Sequence, residues 1–152
     1  MVVIGSSPGL VTVISITVPS VMPAENTAFK NAANFGWFST NLFLAFIIFI
    51  SEAGFIMARK PGKLPAEVIE ETYAKEYGTD TIQLHKDAIS KDDVVLLHDD
   101  LLATGGTMAA AYRLVKRCGV EKAYVNFVIE LKGLNGRNAF EKDVEVTTLL
   151  EL

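Results

Sequence analysis

The 152-residue chain is poor in cysteine, histidine and tryptophan, with one Cys, two His and one Trp. The single cysteine, Cys118, rules out an internal disulfide and agrees with a reducing compartment. Neither histidine has the Cys or His spacing of a zinc site, so we expect no structural zinc. The chain also lacks a Gly-x-Ser-x-Gly turn, so hydrolase chemistry based on that motif is not predicted.

Positive charge is also scarce. Lys and Arg together number 14, against 18 Asp and Glu, for a net charge of −4. A nucleic-acid-binding protein usually carries a basic face, so we expect no nucleic-acid partner. Charge of either sign is rarest at the beginning: residues 1–57 contain three charged side chains and residues 58–152 contain the other 29.

The N-terminal third contains one long apolar run, Leu42–Ile50, within the wider stretch Trp37–Met57. A membrane-spanning helix needs about 20 mostly apolar residues, and Glu52 would be costly in lipid. No basic segment precedes the apolar residues as it would in a signal peptide. A membrane anchor is therefore the less favoured alternative, and we expect a cytoplasmic protein.

Residues 94–107 carry the clearest functional pattern. An apolar run, Val94–Leu97, leads to the adjacent carboxylates Asp99 and Asp100, then to a short loop and a helical pattern. Carboxylates repel a phosphate but suit the hydroxyl groups of a sugar, or a metal ion. The alternative without a functional role is a helix-capping turn in which both aspartates are solvated.

The loop after the acidic pair reads Ala103-Thr104-Gly105-Gly106-Thr107. Unpaired N–H groups and the positive end of the dipole make a helix N-terminus a phosphate site. The two glycines remove Cβ atoms that would block a phosphate, and the two threonines add hydroxyl donors. The acidic pair and the loop together predict a site for a phosphorylated sugar.

This segment resembles the phosphoribosyl-diphosphate (PRPP) motif of type I phosphoribosyltransferases, and in particular the adenine phosphoribosyltransferases. Two further stretches are similar to the same family: Ala58–Pro65 followed by Glu76-Tyr77-Gly78, and Glu130–Arg137. The three stretches run in family order across residues 53–152. Residues 1–52 match none of the family's motifs.

The resemblance implies an α/β fold: a Rossmann-like parallel sheet with flanking helices and a mobile hairpin lid. We expect one domain over residues 1–152, with an atypical apolar region at 1–52 and a family-like core at 53–152. The implied activity is purine salvage, in which phosphoribosyl passes from PRPP to adenine to give AMP and pyrophosphate. Mg²⁺ would come with PRPP, and the protein would be a homodimer. The alternative is a non-catalytic PRPP- or nucleotide-binding module of the same fold.

The resemblance also implies roles for particular residues. Asp99 and Asp100 would bind the ribose hydroxyls, and residues 103–107 would hold the 5′-phosphate. Glu76 would act as an acid or base near the purine, with Tyr77 beside it in the substrate site. The remaining implied site residues are cations that would face the pyrophosphate: Arg59, Lys60 and Lys63. Arg59 and Lys60 would also lie near a dimer interface. For each of these charged groups the alternative is a solvated surface position.

Apolar runs predict strands, and a 3.6-residue period predicts one clear helix with Gly119 as its C-terminal cap. Residues 66–77 are ambiguous, because propensity favours a helix and the resemblance favours a hairpin that returns through Thr81–His85. We prefer the hairpin. The sequence does not decide the secondary structure of two earlier segments: residues 23–35 could form a short helix, and residues 43–50 could form a strand or a helix. The clearer elements are strands at Leu10–Val18, Gly54–Ala58, Val94–His98, Ala123–Ile129 and Val144–Leu150, and a helix at Thr107–Cys118.

Overall fold

The computed structural model describes residues 11–15, 55–74 and 78–152. The segments 23–35 and 43–50 lie outside these ranges, and so do Glu76 and Tyr77. In chain order the elements are β1 (Val11–Ser15), β2 (Phe55–Met57), β3 (Val68–Ala74), β4 (Thr79–His85), β5 (Val94–Leu102), α1 (Gly106–Arg117), β6 (Lys122–Glu130), two 3₁₀ turns (Lys132–Leu134 and Gly136–Ala139) and β7 (Val146–Glu151).

Within the part of the chain that the structure describes, five strands form one parallel sheet in the order β2-β1-β5-β6-β7. The central strand β5 is rich in apolar side chains, as parallel strands covered on both faces usually are. Val95, Leu97 and Leu102 on β5 are completely buried. The helix α1 links β5 to β6, which is the crossover that two parallel neighbours require. The predicted parallel α/β fold is therefore confirmed.

The buried surface of α1 is wider than its sequence period predicts. The 3.6-residue period puts Met108, Ala111, Tyr112, Val115 and Cys118 on one apolar face, but Tyr112 and Cys118 are only partly buried. Ala109, Ala110 and Leu114 are buried as well. The reason is that α1 packs against β3 in addition to the sheet, so it has two covered sides. Burial raises the pKa of the Cys118 thiol, which agrees with an unreactive thiol.

Strands β3 and β4 form an antiparallel hairpin from Val68 opposite His85 to Ala74 opposite Thr79. The predicted hairpin is confirmed, although the helix formers Glu70, Glu71 and Ala74 lie in its first strand. Tertiary contacts outweigh that local preference. Ile82 and Leu84 are buried in the core, as is Tyr73.

Two element boundaries differ from those expected at the functional loop. Strand β5 continues past His98 to Leu102, because its pairing with β6 continues through Asp99 opposite Phe127 and Leu101 opposite Ile129. Asp99 and Asp100 therefore lie within the strand instead of after it. The helix begins at Gly106, one residue before the predicted Thr107. Within the described ranges no helix is long and apolar enough to cross a membrane.

Candidate phosphate and ribose site

The loop from Ala103 to Thr107, here called the phosphate loop, joins the carboxyl end of β5 to the N-terminus of α1. Gly105 is the residue just before the helix and has a backbone φ of 76°, a left-handed conformation that favours glycine. The first regular helical bond runs from the Ala109 N–H to the Gly105 carbonyl, at 2.9 Å. The N–H groups before Ala109 have no partner within a helix, so they are available to an anion.

The phosphate loop rests directly on the 3₁₀ turn Gly136–Ala139. A Cβ on Gly105 would lie 2.2 Å from the Gly136 carbonyl oxygen, and a Cβ on Gly136 would lie 2.3 Å from the Ala103 carbonyl oxygen. Both distances are far inside van der Waals contact, so only glycine fits at either position. This backbone contact gives Gly136 in the Glu130–Arg137 stretch a clear function: that stretch supports the phosphate loop.

The turn is held in place by an ion pair between Glu130 and Arg137. Arg137 Nε lies 2.9 and 3.0 Å from the two carboxylate oxygens of Glu130, and Nη2 lies 2.7 Å from Oε2. Arg137 Nη1 also donates to the Val146 carbonyl at 2.6 Å. The Arg137 guanidinium lowers the pKa of the buried Glu130 carboxyl. Sequence reasoning noted this stretch only as a motif and assigned neither residue a role; an acid and an arginine flanking a glycine turn were the available signal.

Asp99 and Asp100 are adjacent in the last part of β5, and two residues separate them from the phosphate loop. Burial raises the pKa of Asp99 well above its usual range, and the negative charge of Asp100 raises it further. Burial also raises the pKa of Asp100. Two adjacent, partly buried carboxylates are electrostatically unfavourable. They would gain stability from hydroxyl donors or a cation.

The acidic pair has the chemistry to share a magnesium ion with a substrate. Within the described ranges no group of three or more His, Cys, Asp or Glu side chains could enclose a metal. Magnesium is usually held by one or two carboxylates together with substrate phosphates, not by a cage of protein ligands. Asp99 and Asp100 therefore fit an ion that arrives with a phosphorylated substrate.

His98, which precedes the acidic pair, is buried in the sheet. Its Nδ1 atom lies 2.8 Å from Oδ1 of Asn126 on β6, and Asn126 Nδ2 donates to the Thr147 hydroxyl at 2.9 Å. Burial lowers the pKa of His98. His98 is therefore packed and hydrogen-bonded within the sheet.

The hairpin β3–β4 lies against the N-terminal turn of α1. The Thr107 hydroxyl donates to the Tyr73 phenolic oxygen at 2.9 Å. Further along the helix, Arg113 and Arg117 each donate a hydrogen bond of 2.8 Å to the Glu71 carboxylate on β3. These contacts attach the hairpin at two points along α1, one of them within the phosphate loop.

The basic segment is attached to the hairpin. Arg59 and Gln83 exchange two backbone hydrogen bonds of 2.9 and 2.7 Å, and Lys60 Nζ lies 3.0 Å from Asp80. Lys63 follows in an exposed turn. The structure thus places Arg59 and Lys60 on the hairpin side of the site, and it gathers Asp99, Asp100 and residues 103–107 at the carboxyl end of β5.

An acidic pair beside a phosphate loop, at the carboxyl end of a parallel sheet, is an arrangement suited to a phosphorylated sugar. The profile of the phosphoribosyl transferase domain family matches residues 54–148. The chain belongs to that family. The predicted resemblance is therefore confirmed.

Known relatives agree with this assignment. The adenine phosphoribosyltransferase of Phocaeicola vulgatus is 77% identical over 100 residues, which are 66% of this chain and 58% of that protein. The chain thus spans less than two thirds of that relative's length. The crystal structure of the Rhodothermus marinus enzyme is 40% identical, with a TM-score of 0.72 over 94% of this chain and 69% of that one. The Saccharomyces cerevisiae enzyme, solved with an imino-altritol bisphosphate and adenine, is 34% identical, with a TM-score of 0.66 over 90% of this chain and 66% of that one.

Proposed function

We propose that this chain is an adenine phosphoribosyltransferase, which converts adenine and PRPP to AMP and pyrophosphate in purine salvage. The observation that carries the proposal is the phosphate loop that follows β5, with Asp99 and Asp100 in the last part of that strand. The 77% identity to a relative named for this activity supports the choice of adenine as the acceptor.

In the proposed reaction a bond forms between C1 of the ribose and a ring nitrogen of adenine. The bond from C1 to pyrophosphate breaks, and the purine nitrogen loses a proton. The phosphate loop would hold the 5′-phosphate through N–H groups and the hydroxyls of Thr104 and Thr107. Asp99 and Asp100 would accept hydrogen bonds from the ribose hydroxyls. Holding both ends of the sugar fixes C1 between leaving group and acceptor.

The remaining roles concern the leaving group and the purine. Mg²⁺ carried with PRPP would neutralise charge on the departing pyrophosphate. Arg59, Lys60 and Lys63 would add electrostatic stabilisation to the same group. Glu76 would take the proton from the purine, with Tyr77 beside it in the substrate site.

A homodimer in the cytoplasm completes the proposal. Arg59 and Lys60 would lie at or near the two-fold interface, within reach of the neighbouring site. Light scattering at micromolar concentration tests this arrangement. A clean monomer would contradict it and remove the cross-subunit role of Arg59.

The activity itself is tested by incubating the purified chain with adenine, PRPP and Mg²⁺ and measuring AMP. We expect AMP from the wild type and none from Asp100→Asn. Guanine and hypoxanthine in place of adenine test the choice of base. PRPP binding without AMP formation would contradict the enzyme assignment and favour the binding module.

A further inference from the structure

Tyr73 is buried, although it lies one residue from the end of β3. Its ring lies over the start of α1: a Cβ on Gly106 would be 3.6 Å from ring atom Cδ2. A tyrosine so placed fixes the distance between the hairpin and the phosphate loop through both its ring and its hydroxyl group.

The hydroxyl groups of Tyr73 and Thr107 are hydrogen-bonded at 2.9 Å. Each hydroxyl has one proton and two lone pairs, so either group can donate in such a pair. In the structure Thr107 donates its proton to Tyr73. A phosphate at the loop needs that same proton, because phosphate oxygens only accept hydrogen bonds.

We propose that Tyr73 is a positioning residue for the 5′-phosphate and acts through the Thr107 hydroxyl. When a phosphate binds, the hydrogen bond reverses: the Tyr73 O–H donates to Thr107 Oγ1, and Thr107 donates to a phosphate oxygen. Donation from Tyr73 polarises the Thr107 hydroxyl and strengthens its bond to the anion. This inference rests on the proposed function of the phosphate loop and assigns a further residue to it.

The hairpin's second attachment offers a matched control. Glu71 lies two residues before Tyr73 on β3 and joins the hairpin to α1 through Arg113 and Arg117. These arginines follow the first turn of the helix and lie outside the phosphate loop. If hairpin docking alone supported phosphate binding, loss of the Glu71 ion pairs would have the same effect as loss of the Tyr73 hydroxyl.

The test measures binding of ribose 5-phosphate by calorimetry, since this probe carries the 5′-phosphate but no pyrophosphate. Four variants are compared with the wild type: Tyr73→Phe, Thr107→Val, the double variant and Glu71→Gln. We expect Tyr73→Phe to weaken binding about five- to tenfold, as loss of one hydrogen bond in a chain to a charged group would. We expect the double variant to bind no more weakly than Thr107→Val, and Glu71→Gln to bind within about twofold of wild type.

Four results would overturn the inference. Wild-type affinity in Tyr73→Phe removes the positioning role, and a further loss on adding Tyr73→Phe to Thr107→Val shows that Tyr73 does not act through Thr107. Equal losses in Glu71→Gln and Tyr73→Phe would make the effect one of hairpin docking. A wild type that fails to bind ribose 5-phosphate would remove the phosphate site as well. Binding as expected but without AMP formation would contradict only the proposed transferase activity.

Discussion

Gly136 lies so close to Ala103 that a Cβ atom on it would be 2.3 Å from the Ala103 carbonyl oxygen. The two residues lie in different connections at the carboxyl end of the sheet, since β5 leads into one and β6 into the other. Their contact means that the shape of the phosphate loop depends on the turn after β6. Substitutions in that turn should therefore affect phosphate binding even though the substituted residues do not contact the ligand.

We predict that Gly136→Ala displaces the phosphate loop. The added Cβ would also meet the Leu102 side chain at 2.8 and 2.9 Å, so the strand end and the loop must both move. We expect a loss of about 2 kcal/mol in the free energy of unfolding, as for other overpacked sites, and at least tenfold weaker PRPP binding. Urea unfolding and calorimetry measure the two effects.

Gly133→Ala is the matched control for Gly136→Ala. Gly133 lies in the neighbouring 3₁₀ turn, and a Cβ there would meet nothing within 4 Å. We expect wild-type stability and binding in this variant. An equal effect of both substitutions would show that chain flexibility, and not contact with the phosphate loop, explains the requirement for glycine.

The phosphate loop and its flanking elements were predictable from sequence because their signals are local. An apolar run, two carboxylates, two glycines and an amphipathic period occupy consecutive residues 94–118. The contact between Gly136 and Ala103 was not predictable in this way, since it depends on how two separate connections meet at one edge of the sheet. The end of β5 was placed too early because two aspartates are poor strand formers, whereas pairing with β6 keeps them in the strand.

We predict that Asp99→Asn stabilises the fold and abolishes PRPP binding. The pKa of Asp99 is raised in the folded protein, so the folded state holds the proton more tightly than the unfolded state. The stabilising contribution of the Asp99 carboxyl group is complete at low pH. It is lost as the pH rises from the pKa of Asp99 in the unfolded state to its raised pKa in the folded state. Removing the charge should therefore raise Tm at neutral pH by about 3 °C, which corresponds to an increase of about 1 kcal/mol in the free energy of unfolding.

Thermal unfolding of Asp99→Asn across pH distinguishes this explanation from a general packing effect. The gain in Tm should shrink as the pH falls towards values at which Asp99 is protonated in the wild type. A gain that is the same at every pH would contradict the electrostatic cause. Lower stability in the variant at neutral pH would contradict the prediction altogether.

The hairpin shows where family resemblance and local propensity disagree. Residues 66–73 contain good helix formers, and contacts distant in sequence add to the pairing with β4 in keeping β3 extended: Tyr73 with Thr107, and Glu71 with Arg113 and Arg117. None of these three partners lies within 30 residues of the strand, so a window of local sequence does not contain them.

We predict that Arg137→Met destabilises the protein by about 2 kcal/mol at neutral pH, because it leaves the buried Glu130 carboxylate without its partner. This figure is at the lower end for a buried pair, since Arg137 is itself 44% exposed. The pKa of Glu130 is lowered in the folded state. Its contribution is therefore present above the unfolded pKa and is lost as pH falls through the folded value.

The pH dependence of urea unfolding checks the Arg137 prediction. The stability difference between Arg137→Met and wild type should decrease under acidic conditions, where Glu130 is protonated. Glu130→Gln in the Arg137→Met background should recover part of the lost stability, since no buried charge remains. A stability difference that does not change with pH would assign the loss to packing of the arginine stem instead.

The final prediction concerns Lys60, which the structure pairs with Asp80 at 3.0 Å. An ion pair with a half-exposed lysine contributes little, about 0–1 kcal/mol, so Lys60 can exchange this partner for a pyrophosphate at small cost. We expect Lys60→Ala to weaken PRPP binding about tenfold, as loss of a charged hydrogen bond would, and to leave ribose 5-phosphate binding unchanged. Lys86→Ala is the control, because Lys86 pairs with Glu67 at 3.1 Å near the other end of the hairpin and should affect neither ligand. Equal losses for both ligands in Lys60→Ala would place Lys60 at the sugar phosphate, and no loss for either would exclude it from the site.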